Sequence, residues 1–208
     1  SIAGRLIYRD GDSMEKGRIS SAMPWMRPRG LMGLGCLLLL SACAEEAPAP
    51  LDVVQLASGA NISGANGLQF SPDGRLFVAS VIGSELIVLD PDSGRVLERL
   101  ADGIDGPDDI DFNAAGDYYW TSILTGEVAG HRASGERITA ANLTPGVNPL
   151  TFSDDGRLFV SQCFFDDKLY EVDPAGVEPP RLISDQLGPG CGLNGMDWGP
   201  DGRLYGPR

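Results

Sequence analysis

NGLQFSPDGRLFVAS (66–80) is answered without a gap by DDIDFNAAGDYYWTS (108–122), NPLTFSDDGRLFVSQ (148–162) and NGMDWGPDGRLYGPR (194–208). The starts are offset by 42, 40 and 46 residues. Each segment opens on Asn or Asp, has an aromatic residue fifth (Phe70, Phe112, Phe152, Trp198) and Gly ninth (Gly74, Gly116, Gly156, Gly202). A short strand, a polar turn closed by Gly and an apolar strand such as Leu76-Phe77-Val78 make a hairpin, and a loop of this length needs one residue at positive φ.

Two more strands follow in each complete unit: ELIVLD and VLERL in the first, KLYEVD and PRLIS in the third, with the weaker GEVAGHR and ERITAANL in the second. Four antiparallel strands recurring every 40–46 residues describe the blades of a β-propeller, and 44–208 carries no useful helical periodicity. The fold class expected is therefore all-β. Blades should occupy about 66–100, 108–143 and 148–184, with a fourth beginning at 194. LDVVQLAS (51–58) reads as an outer strand completing the last blade of a closed ring, and 51–208 reads as a partial propeller.

Upstream, MRPRGLMGLGCLLLLSAC (26–43) places Arg27 and Arg29 before an apolar run too short to span a bilayer. Leu40-Ser41-Ala42-Cys43 resembles the bacterial lipobox, which implies lipidation of Cys43, and AEEAPAP (44–50) is a polar tether. The expected organisation is an upstream extension (1–22), a lipoprotein signal (23–43), the tether and the propeller domain. This implies a chain anchored by lipid at the cell envelope. Of the net charge of −13, residues 44–208 carry 10 basic against 26 acidic groups. Such a surface repels phosphate backbones and excludes nucleic acid as a partner.

Innermost propeller strands begin at one face of a central channel, so Asn66, Asp108, Asn148 and Asn194 should converge there. Four oxygen-bearing side chains suit a hard cation such as Ca²⁺. The other reading is turn chemistry, since Asn-Gly begins two of the repeats.

On these motifs (NGLxFxPDGxLxVA, GxxDI, NGMxW) the chain resembles the senescence-marker-protein/gluconolactonase family of six-bladed, calcium-dependent lactonases and esterases. The resemblance implies metal ligands at Asn66, Asn148 and Asn194 and a substrate-orienting pair at Asp108-Asp109. The family's first and third ligands are Glu and Asp; both positions are Asn here. If the chemistry is kept, the cation acts as a Lewis acid on a lactone or ester carbonyl. Asp108, the one carboxylate at a repeat-first position, is then the base for the attacking water. Asp109 either supports it or is a solvated loop carboxylate. The alternative function is a non-catalytic envelope propeller that binds a small ligand or a protein.

Cys163 and Cys191 fall at the same face of neighbouring blades and form either a disulfide or two free thiols. His131, the only histidine, reads as a surface residue near the outer end of a third strand. There is no Gly-x-Ser-x-Gly elbow, P-loop or dinucleotide fingerprint.

Overall fold

The computed structural model describes Gln55, residues 61–188 and residues 193–207. The upstream extension, the signal with the lipidation site Cys43, the tether, the 51–58 strand apart from Gln55, and Cys191 lie outside the described residues.

Three four-stranded antiparallel sheets and one two-stranded sheet follow one another along the chain. The first holds β1 (Ala65–Phe70), β2 (Leu76–Ser80), β3 (Glu85–Leu89) and β4 (Val96–Leu100) in sequence order. The second holds β5 (Pro107–Phe112), β6 (Tyr118–Ser122), β7 (Glu127–His131) and β8 (Arg137–Asn142). The third holds β9 (Val147–Phe152), β10 (Leu158–Gln162), β11 (Leu169–Val172) and β12 (Arg181–Ser184). The short pair β13 (Asp197–Trp198) and β14 (Leu204–Tyr205) begins the fourth repeat. These are the expected blades, and the weak second unit forms all four strands.

Each repeat turns the same way. The ninth-position Gly74, Gly116, Gly156 and Gly202 all have φ between 73° and 87°, and a Cβ on any of them would meet nothing. Their requirement is therefore backbone conformation and not space. In every turn the Gly amide donates to the carbonyl of the residue three back.

Alternation along the middle strands stacks the blades. On β2, Phe77 and Ala79 face the second blade and join Leu86, Val88, Ile110, Trp120 and Ala129 in one buried cluster. Leu76 and Val78 point the other way, with Ile87 and Leu89. On β6, Trp120 belongs to the cluster shared with the first blade, whereas its neighbour Tyr119 packs with Val147, Leu150, Leu158 and Val160 of the third. Because both faces are covered, these strands read as continuous apolar runs. Each fully buried Leu, Ile or Val contributes roughly 1.5–3 kcal/mol.

Cys163 is fully buried and disulfide-bonded. His131 ends the third strand of its blade and is half-buried: its Nδ1 lies 2.8 Å from the Tyr118 hydroxyl and its ring makes a T-shaped contact with Trp120. Apolar packing around β6 draws the imidazole in, and burial lowers its pKa.

Candidate functional site

The three innermost strands β1, β5 and β9 share one irregularity. Pairing slips between Ala65 and Leu68, between Pro107 and Ile110, and between Val147 and Leu150. The slips enclose Asn66, Asp108 and Asn148, the first residues of their repeats. A bulge re-aims the side chains it carries, and bulges gather beside functional sites.

Asn66 Nδ2 donates to Asp108 Oδ1 at 2.7 Å. Asp108 is 2% exposed, and its other oxygen, Oδ2, is buried with no hydrogen-bond partner. Leaving a buried carboxylate oxygen unmatched costs free energy, so such an atom calls for a physical reason. Burial raises the Asp108 pKa to about 6, against the lowering pull of the Asn66 amide. Asn148 is buried, and its carbonyl accepts from Thr121 Oγ1 at 2.5 Å. The same Thr121 oxygen accepts the Asp109 amide at 3.2 Å, which ties Asn148 to the turn of chain that carries Asp108. Asn194 is exposed on the fourth repeat, and no described hydrogen bond joins it to the other three.

Asp109 is not a solvated loop carboxylate. Its Oδ2 accepts the Leu150 amide of β9 and its Oδ1 the Ile110 amide, each at 3.0 Å. Burial is the largest influence and raises its pKa to about 7. With both oxygens committed to backbone, it fixes the spacing between the second and third blades and so positions Asp108.

Sequence reasoning passed over the fourth residue of each repeat. Asp111 Oδ1 accepts from Gln69 Nε2 and from the Phe112 amide, both at 2.7 Å, and Oδ2 accepts from the Phe152 amide at 2.8 Å. One carboxylate thus joins the inner strands of three blades. Gln69, Asp111, Thr151 and Asp197 all line one cleft of about 290 Å³. The signal was present: a polar residue recurs between an apolar third position (Leu68, Ile110, Leu150, Met196) and the aromatic fifth.

Gly67 lets β1 approach this cluster. A Cβ there would lie 2.5 Å from Asp109 Oδ1 and 2.7 Å from the Asp109 Cα. Gly67→Ala should therefore force β1 from β5 and cost about 1–3 kcal/mol, read as a lower urea midpoint at unchanged slope. An unaltered midpoint would show that the two strands separate freely.

His131 sits at the other end of its blade. The row Phe112–Tyr118–His131 closes the strands at the end opposite the Pro107–Ser122 pair that adjoins Asp108. His131 lines a separate cavity of about 380 Å³ with Phe77, Phe112 and Tyr118.

No protein-family model matches this chain, and no curated protein matches it by sequence. Solved structures do match. They include virginiamycin B lyase from Staphylococcus aureus (14% identity, TM-score 0.55, 69% of this chain and 48% of that one). A gluconolactonase from Xanthomonas campestris is similar at 16% identity and TM-score 0.57, over 69% of this chain and 54% of that one. An auxiliary nutrient binding protein from Bacteroides thetaiotaomicron is similar at 12% identity and TM-score 0.55, over 70% of this chain and 36% of that one. The chain spans about half the length of the first of these structures. At such identities the likeness establishes the fold, a β-propeller of four-stranded blades, and a fold alone does not fix chemistry.

Proposed function

We propose that the protein is a divalent-cation-dependent lactone or ester hydrolase of the gluconolactonase type, exported and anchored at the cell envelope through Cys43. The observation that carries this reading is the buried, uncommitted Oδ2 of Asp108, set in a bulge beside Asn66. A carboxylate with a pKa of about 6 is ionised at neutral pH yet basic enough to take a proton from water.

Asp108 Oδ2 takes the proton of a water that attacks the acyl carbon. The carbon–oxygen bond to the leaving alcohol then breaks, and Asp108 returns the proton to that oxygen. An ester yields an acid and an alcohol; a lactone yields one hydroxy acid. Asn66 holds Asp108 Oδ1 and leaves Oδ2 uncommitted, an acceptor for a water admitted with the substrate, and Asp109 locks the strand that carries Asp108.

The donor chemistry suits a hard cation. The amide oxygens of Asn66, Asn148 and Asn194 would hold the ion, with the Asp108 charge beside them, and Nδ2 of Asn66 is the atom spent on Asp108, leaving its oxygen for a ligand. Ca²⁺ or another divalent ion held there would supply Lewis-acid polarisation of the carbonyl. Among the described residues no group of three or more His, Cys, Asp or Glu gathers, so affinity rests mainly on neutral oxygens. Low ligand charge argues for binding on the order of 10⁻⁴–10⁻³ M.

The test is a calorimetric Ca²⁺ titration of the full chain and of Asn148→Ala, with a γ-lactone turnover assay beside it. One ion per chain, lost in the variant, together with turnover, is the expected outcome. Absence of binding at millimolar Ca²⁺ would overturn the metal-dependent reading. The Asn residues at the positions where the family carries Glu and Asp favour, in that event, a propeller that binds a small ligand without chemistry.

A further inference from the structure

Each β-hairpin that joins the second strand of a blade to the third ends at the face where Asn66, Asp108 and Asn148 lie. The residue before each of these site residues pairs with the last residue of the second strand: Ala65 with Ser80, Pro107 with Ser122, Val147 with Gln162. Two residues on, the tips carry Ile82, Leu124 and Phe164, followed by Phe165; they are 78%, 66%, 60% and 80% exposed. Scattered apolar residues on a surface are ordinary, but here the same repeat position is exposed and apolar on all three blades.

The tips form a continuous belt. Ile82, Leu124 and Phe165 fold over Gly64, Gly106 and Gly146, each the second residue before a site residue. Val81, Ile123 and Cys163 donate backbone hydrogen bonds to the carbonyls of those same glycines. The belt then passes from blade to blade, because the Gly106 amide donates to Ser84 Oγ and the Gly146 amide to the Ile123 carbonyl. Ser84 and Phe164 are the non-glycine residues with positive φ among the described residues, at 50° and 68°, and both belong to these tips. A phenylalanine in that region is a real outlier, and such strain persists where the surroundings hold it and gathers at ligand-binding segments.

We infer that this apolar rim around the Asp108 floor binds the hydrocarbon arm of an amphiphilic substrate, so that the lactone or ester hydrolysed carries an alkyl or aryl substituent. The inference rests on the hydrolase reading of Asp108. Among the described residues the tips offer four apolar side chains, where a stable protein interface takes about 20–30 residues a side. Lys168 pairs with Asp166 at 2.6 Å, and Asp105 and Asp167 beside the tips leave a net negative charge that repels the anionic headgroups of a membrane surface. A small molecule with a polar head and an apolar arm fits both facts.

The experiment uses the full chain and two matched series, γ-alkyl lactones and the non-hydrolysable γ-alkyl lactams, with the alkyl group lengthened from methyl to hexyl. Lactam affinity by calorimetry should rise about twofold to fourfold per methylene, the range for a group wholly or partly removed from water. In the triple variant Ile82→Ser, Leu124→Ser, Phe165→Ser the rise should flatten. Melting temperature should change little, since all three side chains are exposed. A flat lactam series in the wild type, or a slope that survives the triple variant, overturns the rim. A lactam slope with no lactone turnover overturns the hydrolase reading and leaves the rim standing. Turnover with a flat slope does the reverse.

Discussion

Asp108→Asn should reduce lactone or ester hydrolysis about 10²–10⁴-fold, the usual contribution of a general base, while making the protein more stable at neutral pH. Both effects have one cause. Burial raises the Asp108 pKa from 3.8 to about 6, so the folded protein holds this charge at a cost the unfolded chain does not bear. A carboxyl raised in the folded state contributes stability that is fully present below its unfolded pKa. That contribution is lost as pH climbs through the folded value. With no added cation, the wild type should therefore weaken between about pH 4 and pH 7, by no more than about 2–3 kcal/mol from this residue. Asparagine keeps an oxygen for the Asn66 amide and carries no charge, so the variant should lose less stability than the wild type across that window, the remaining fall being that of Asp109 and Asp111, and melt higher at pH 8. Initial rates and thermal unfolding at pH 5 and pH 8 read both effects. An inactive variant that is also less stable at pH 8 would mark Asp108 as a structural residue, and an active variant would remove it from the chemistry.

The fold was legible because its information is local and repeated. Position nine of each repeat is glycine for a reason that a sequence displays, a turn residue at positive φ. The run Leu76 to Ser80 is buried on both faces, against the second blade on one and beside Ile87, Leu89, Ile62 and Val96 on the other. The site was legible to its first residues and no further. Asn66, Asp108 and Asn148 occupy slips in the pairing of each blade's first strand with its second, a detail of register that the residue pattern of a repeat does not display. Asp109 and Asp111 show the same limit more sharply. Their partners Leu150 and Phe152 lie 41 residues away, one whole repeat, so a carboxylate that looks solvated in sequence becomes a tie between blades once the repeats stack. The half-burial of His131 has a more local origin, Tyr118 and Trp120 on the adjacent strand of its own blade.

The fourth-position tie makes a second large prediction. Asp111→Ala should destabilise the propeller by about 3 kcal/mol, near the low end for removing one partner from a buried charged group. Asp111 is buried and accepts three hydrogen bonds from three blades. Truncation leaves the Gln69 amide and the Phe152 N–H without their acceptor, at about 1–3 kcal/mol for each group that finds no water. Part of this is returned, because burial already raises the Asp111 carboxyl and alanine removes that burden. The net loss should lower the melting temperature by roughly 6–12 °C for a unit of this size. Asp111→Asn should fall in between: its amide oxygen can serve one side of the tie, while its NH₂ meets a donor on the other. Asp73→Ala is the control, an exposed carboxylate in the first repeat's turn whose loss should stay within about 0.5 kcal/mol. Hydrogen exchange separates this account from simple loss of packing. The Phe152 amide should exchange much faster in Asp111→Ala, while amides deep in β6 slow or quicken only with global stability. A variant that melts within 2–3 °C of the wild type would mean that the apolar clusters around Trp120 and Tyr119 alone hold the blades in register.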